Sequence, residues 1–151
     1  MGRNRGARFG SRLGATSDLY EGGIPDARVL GVARKLVIKV TAGKDEPERC
    51  NQAFTVAATA VASGVSVSLW LTGEAAWFGL PGKADDFSLP HAAPLADLLA
   101  SVLALGTVTI CTQCAARRDI TPQDVIEGVR IAGAATFVAE VVADDTQALV
   151  Y

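Results

Sequence analysis

Five short runs of aliphatic and β-branched residues recur along the chain, separated by helical or polar stretches. This alternation limits the fold more than any other feature. The runs fall at residues 36–40, 65–71, 107–110, 129–132 and 147–151, and they have the length and composition of strands. The first, Leu36-Val37-Ile38-Lys39-Val40, is mostly apolar, which suits a central strand. The resulting order, β-α-β-α-β-α-β-α-β, predicts a three-layer α/β domain. Its five-stranded parallel sheet would carry helices on both faces, joined by right-handed crossovers.

The intervals carry their own signals. Pro47, flanked by Glu46 and Glu48, suits the first turn of a helix that runs to about residue 63 and stops at Gly64. Cys50, Phe54, Ala57 and Val61 share one face of it, so Cys50 reads as a small core residue. Leu95, Leu98, Leu99, Val102 and Leu103 recur at helical spacing after Pro94, the cleanest amphipathic pattern in the chain. Thr121 and Pro122 read as the cap and first residue of a short helix that Gly128 breaks. A last helix covers about 134–143, with Phe137, Val138, Val141 and Val142 on its buried face. Between residues 75–80, a short helix, and Pro94, the chain has no periodicity and reads as a loop, of a length that hints at a lid or an interface. Trp77, Phe78 and Phe87 concentrate aromatics there, either capping the core or lining a pocket or subunit contact. The lone histidine, His91, reads as an exposed loop residue, since no ligand or catalytic partner stands near it in sequence.

Composition fixes the broad class. The 151 residues are 50% hydrophobic but only 6% aromatic, as expected for a layered core of Ala, Val, Leu and Ile. Residues 1–33 differ: Arg3, Arg5, Arg8 and Arg12 stand among Gly and Ser with no acidic residue before Asp18. They read as a flexible extension, with a transit peptide or a nucleic-acid arm as alternatives. The folded domain is expected over 34–151. A net charge of −2 argues against a nucleic-acid surface on that domain. No apolar run is long enough to span a bilayer, and no signal-peptide pattern is present, so the cytoplasm is expected. Neither a GxGxxG nor a GxxxxGK[ST] occurs, and the sequence calls for no cofactor and no metal.

The chemistry concentrates at residues 107–120. A strand ends in Cys111-Thr112-Gln113-Cys114, and Arg117 and Arg118 follow. A thiol at the carboxyl end of a strand in an open α/β sheet stands where such sheets place ligands. Nearby N–H groups and cations favour the reactive thiolate. Four readings stay open on the residues alone. Cys111 could accept sulfane sulfur and hold it as a persulfide, with Arg117 and Arg118 as electrostatic supports. Cys111 and Cys114 could exchange between dithiol and disulfide, although Ile110, not Trp, precedes the pair. The pair could supply half of a four-ligand zinc site. The thiols could also be structural.

The stretch Cys111-Thr112-Gln113-Cys114-Ala115-Ala116-Arg117-Arg118, followed by Ile126-Glu127-Gly128-Val129-Arg130-Ile131-Ala132-Gly133, resembles the DsrE/DsrF-like family. It is most similar to the YchN-type members, which carry a Cys-x-x-Cys here. The resemblance extends more weakly to residues 35–49 and to Leu71-Thr72-Gly73-Glu74. It implies a small α/β domain assembled as a homo-oligomer, trimer or hexamer, and a sulfur-carrier or sulfurtransferase subunit serving donor and acceptor proteins. Cys111 would hold the persulfide and Cys114 would be an auxiliary thiol. The competing readings are a non-catalytic oligomeric binding module and a dithiol redox protein. One position departs from the family pattern: Asp119 stands where Gly is usual after the arginine pair. Gly adopts a left-handed backbone with least strain, and Asp tolerates it better than most residues. The Asp119 charge would oppose a thiolate nearby.

Overall fold

The computed structural model describes residues 35–151. The extension expected over 1–33 lies outside the described residues. Five strands, β1 (Lys35–Val40), β2 (Ser66–Leu71), β3 (Thr107–Cys111), β4 (Val129–Ala132) and β5 (Thr146–Val150), form one parallel sheet in the order β4-β3-β2-β1-β5. β1 lies between β2 and β5, as its apolar sequence requires. The expected α/β class, parallel sheet and strand count are all found. No helix of the described residues is long and apolar enough to cross a membrane.

Alternation along each strand divides the sheet into two unlike faces. Ile38 and Val40 of β1, Leu69 and Leu71 of β2, and Val108 and Ile110 of β3 point to one face and are fully buried. Helices α1 (Pro47–Ala62) and α2 (Leu95–Leu105) cover them. Ala53, Ala57 and Ala60 keep α1 slim, and Cys50 and Phe54 fill the space beneath it. Phe54, Phe78 and Phe87 then stack edge to face, with centroids 5.9 and 5.6 Å apart. Phe78 sits on a 3₁₀ helix, Gly73–Gly79, so this aromatic chain ties the segment after β2 to the core.

The other face sets polar and charged side chains around the buried Val37 and Trp70, and one short helix, α4 (Ala134–Val141), packs on it. Phe137 meets Trp70 of β2 edge to face at 5.2 Å, and Lys39 of β1 lies over the Phe137 ring. Glu140, one turn on, accepts hydrogen bonds from Ser68 Oγ at 2.5 Å and Trp70 Nε1 at 3.2 Å. It also pairs with Arg130 and has Lys35 Nζ at 3.8 Å. Arg130 in turn donates to Thr109 Oγ1 on β3. One carboxylate thus links β1, β2 and β4 to the helix above them.

Two local expectations are corrected. The segment after Thr121 is a turn, not a helix. Asp124 accepts from Thr121 N–H and Oγ1, but Ile126 N–H goes to the Gly79 carbonyl at 2.9 Å, which draws the chain onto the 3₁₀ segment before a helix can propagate. The helix in that crossover is instead α3 (Thr112–Ala116), which starts directly after Cys111. On α4, Phe137 and Val141 are half-buried, but Val138 and Val142 are 54% and 72% exposed. The sheet side of α4 is taken by Phe137 and Glu140, so the rest of the apolar stripe turns outward.

Burial pushes the Glu140 carboxyl up, but the Ser68, Trp70 and Arg130 hydrogen bonds and the Lys35 charge hold it below the usual carboxylate range. Its stabilising effect is therefore present above the unfolded pKa and lost as pH falls through the lowered folded pKa. Glu140→Gln is expected to lose about 1–2 kcal/mol in urea unfolding at neutral pH, moderated by the exposure of Arg130. The difference from wild type should shrink below about pH 4; a difference that holds constant down to acid pH would contradict this account.

Candidate functional site

β3 brings Cys111 to the carboxyl edge of the sheet, paired with Ala132 of β4. Its neighbour Ile110 pairs with Leu71, the last residue of β2. Cys111 then turns the chain into α3 with φ −63° and ψ 129°, as the capping residue of that helix. It is half-buried. Burial pushes its thiol up, while the backbone N–H groups of Cys114 and Gln113, the Cys114 S–H and the Lys39 charge pull it down. The balance lies below the ordinary thiol value. The two N–H groups approach the sulfur without closing a capping hydrogen bond of full geometry, so they act as aimed dipoles.

Cys114, one turn into α3, is 8% exposed. Its Sγ accepts the Gly73 N–H at 3.2 Å. Gly73 has φ +52°, and a Cβ there would stand 2.6 Å from the Thr41 carbonyl oxygen. Only glycine lets the corner after β2 close against both the β1 loop and the Cys114 sulfur. All three cysteines are free thiols. Cys50 is fully buried, and burial, with the Asp45 charge, pushes its thiol up to about 12. It is a core residue, as its helical register indicates.

The arginines take different positions. Arg118 pairs with Glu74 at 2.6 Å, donates to the Cys114 carbonyl at 3.2 Å and lies 5.9 Å from the Trp77 ring centroid. It ties α3 to the 3₁₀ helix and so holds the backbone of Cys114. Arg117 is exposed, with no ion-pair partner among the described residues. The cation acting on the Cys111 sulfur is Lys39. Asp119 has φ +53°. Asp119 N–H bonds the Ala116 carbonyl and Ile120 N–H the Ala115 carbonyl, a Schellman turn that buries Ile120. The left-handed position inferred from the family pattern is thus present, and the Asp119 carboxylate is not among the groups that shift Cys111. His91 is exposed, in a groove with Glu48 and Asn51 of α1.

Two residues of this arrangement escape sequence reading. Lys39 carries a signal, a single charge near the end of an apolar strand. Gly73 carries none beyond being a glycine after a strand, since its partner lies 41 residues away.

The model of the DsrE/DsrF-like family matches residues 34–146. The chain belongs to the DsrE/DsrF-like family. Among solved structures it is similar to the YchN protein from E. coli, with a TM-score of 0.65 and 20% identity over 78% of this chain and 98% of that one. It is also similar to MTH1491 from Methanobacterium thermoautotrophicum, a protein of unknown function, with a TM-score of 0.55 and 11% identity over 78% of this chain and 98% of that one. At these identities the likeness is one of fold. No curated protein matches the chain.

The thiol environment makes a measurable statement. Alkylation of Cys111 by iodoacetamide, followed by peptide mass spectrometry across pH, should show a midpoint below the roughly 8.5 of an unperturbed thiol. Lys39→Met should move that midpoint up, and Cys50 should stay unlabelled in the folded protein. Equal midpoints for wild type and Lys39→Met would remove Lys39 from the site.

Proposed function

We propose that this DsrE/DsrF-like chain is a sulfur-carrier or sulfurtransferase subunit that holds sulfane sulfur as a persulfide on Cys111. The observation that carries the reading is the set of donors around a half-buried thiol: two backbone N–H groups, the Cys114 S–H and Lys39. In the loading step the Cys111 thiolate attacks the outer sulfur of a donor persulfide, R–S–SH. A new S–S bond forms, the donor S–S bond breaks, and R–S⁻ leaves. An acceptor thiolate can take the outer sulfur by the same exchange. Alternatively Cys114, as thiolate, attacks the inner sulfur of the loaded Cys111; HS⁻ leaves and a Cys111–Cys114 disulfide remains for an external dithiol to reduce. Arg118 supports this by fixing the backbone of Cys114, and Arg117 is available to a docking donor or acceptor protein. The reducing cytoplasm is the compartment this chemistry suits.

Treating the reduced protein with polysulfide should add one sulfur atom to Cys111. The gain should vanish in Cys111→Ser and persist in Cys114→Ser. An immediate Cys111–Cys114 disulfide with no retained sulfur would favour the dithiol redox reading instead. No modification at all would leave the non-catalytic binding module.

The subunit part of the proposal rests on the outward stripe of α4. Val138 and Val142, with Val150 on the edge strand β5, are 54%, 72% and 68% exposed. Exposed apolar side chains beside an open sheet edge favour burial against another copy. We place the contacts of a homo-oligomer, trimer or hexamer as the family resemblance implies, on this side of the sheet. Val138→Glu combined with Val142→Glu should convert the assembly to monomer in analytical ultracentrifugation at micromolar concentration. A wild-type monomer would refute the assembly.

A further inference from the structure

A second feature of the same edge is not used by the thiol chemistry. The loop after β1 and the 3₁₀ helix enclose a cavity of about 260 Å³ lined by Lys44, Glu74, Trp77, Phe78 and Lys83. Its wall is aromatic. Phe78 is 2% exposed and held on either side by Phe54 and Phe87, while Trp77 is half-buried, with the Arg118 guanidinium 5.9 Å from its ring centroid.

Among the residues lining that wall, two ammonium groups stand against one carboxylate; Asp85 and Asp86, close to Lys83 in sequence, are exposed and outside the lining. Glu74 is committed to Arg118, whose guanidinium also lies toward the Trp77 ring. Asp45, next in sequence to Lys44, turns Oδ1 to the Gly43 N–H at 2.7 Å. Lys44 and Lys83 are exposed, and neither has a carboxylate partner within ion-pair distance among the described residues. The site therefore presents one neutralised pair and two ammonium groups with no ion-pair partner among the described residues, about an apolar surface.

Each simple occupant fails one half of this description. An inorganic anion would meet the lysines and leave the aromatic wall wet. An uncharged hydrocarbon would cover the wall and gain nothing from the charge. We propose that the cavity binds a small organic anion with a flat apolar body, its ring against Trp77 and its carboxylate or sulfonate between Lys44 and Lys83. The volume is just under the roughly 300–1,000 Å³ of common ligand sites, which limits the body to one or two fused rings. The occupant would sit beside Glu74, one residue after the Gly73 N–H that holds the Cys114 sulfur. The inference does not require Cys111 to carry sulfur.

The test titrates the full chain with 2-naphthoate and follows ¹H–¹⁵N resonances. The expected result is saturable shifts at the Trp77 indole and at the Lys44 and Lys83 amides, with a Kd below about 1 mM. The uncharged 2-naphthamide should bind about fivefold more weakly, the upper weight of one exposed ion pair. Lys44→Ala combined with Lys83→Ala, two exposed positions whose loss should leave the fold intact, should weaken naphthoate by at least about fivefold and leave the amide unchanged. Shifts confined to other surfaces, no saturation below about 10 mM, or equal binding of naphthoate and naphthamide would each overturn the assignment. None of these readouts depends on thiol reactivity, so the result is separate from that of the polysulfide experiment.

Discussion

Parallel pairing of all five strands places every carboxyl end on one edge, and both sites depend on that edge. Val40 pairs with Leu71, Leu71 with Ile110, and Cys111 with Ala132. The loops after β1 and β2 and the start of α3 are thereby brought within hydrogen-bond reach of one another. The Gly73 contact to the Cys114 sulfur exists only in this register. A slip of one residue along β3 would exchange its two faces. Cys111 would then turn toward the α1 and α2 side and lose Lys39, which projects from the opposite face of β1. The register is held because Val108 and Ile110 are fully buried while Thr109, between them, bonds Arg130.

The inequality of the two faces explains several features at once. Beneath α1 and α2 the sheet is wholly apolar, and the energy there is that of burial. Beneath α4, around the buried Val37 and Trp70, it carries Lys35, Lys39, Ser68, Thr109 and Arg130; Arg130 serves Thr109, and one carboxylate and one aromatic ring serve the rest. Glu140 does this for Ser68, Trp70, Arg130 and Lys35, and Phe137 for Lys39. A polar face under a helix of eight residues cannot also absorb Val138 and Val142, and those side chains remain outside. The same polarity leaves a cation beside Cys111. On the apolar face a lysine at that position would have no water and no partner.

The periodic elements were legible because periodicity reports burial on an apolar surface. The five strands, α1, α2, the core position of Cys50 and the strand-end placement of Cys111 all follow from it. The left-handed turn at Asp119 was legible by a different route, since a glycine usual at that place in the family points to the same backbone. What escaped has a common cause. α3 has only five residues, too few to show a period. The turn at 121–127 has helix-starting residues, but the bond from Ile126 to Gly79 joins positions distant in sequence and overrides them. The apolar stripe of α4 predicts the inward Phe137 and Val141 but not the outward Val138 and Val142, because the surface beneath selects Glu140. Lys39 and Gly73 act across the fold, through partners that no local pattern contains.

Cys114 constrains the proposed chemistry more tightly than the spacing of the pair does. Its S–H is one of the donors that lower the Cys111 thiol, and in the proposed loading step it would face the attacking sulfur. Release by the second thiol needs that same proton to leave. The two roles are compatible only in sequence. In the proposed cycle a second sulfur on Cys111 would move the negative charge one atom outward, away from the Cys114 S–H. The Gly73 N–H meets the Cys114 sulfur in a corner that is held on one side by the Glu74 N–H on the Thr41 carbonyl and on the other by Arg118 on the Cys114 carbonyl. The proposed load-then-release cycle would use Cys114 from this held position while Cys111 gains and loses its outer sulfur.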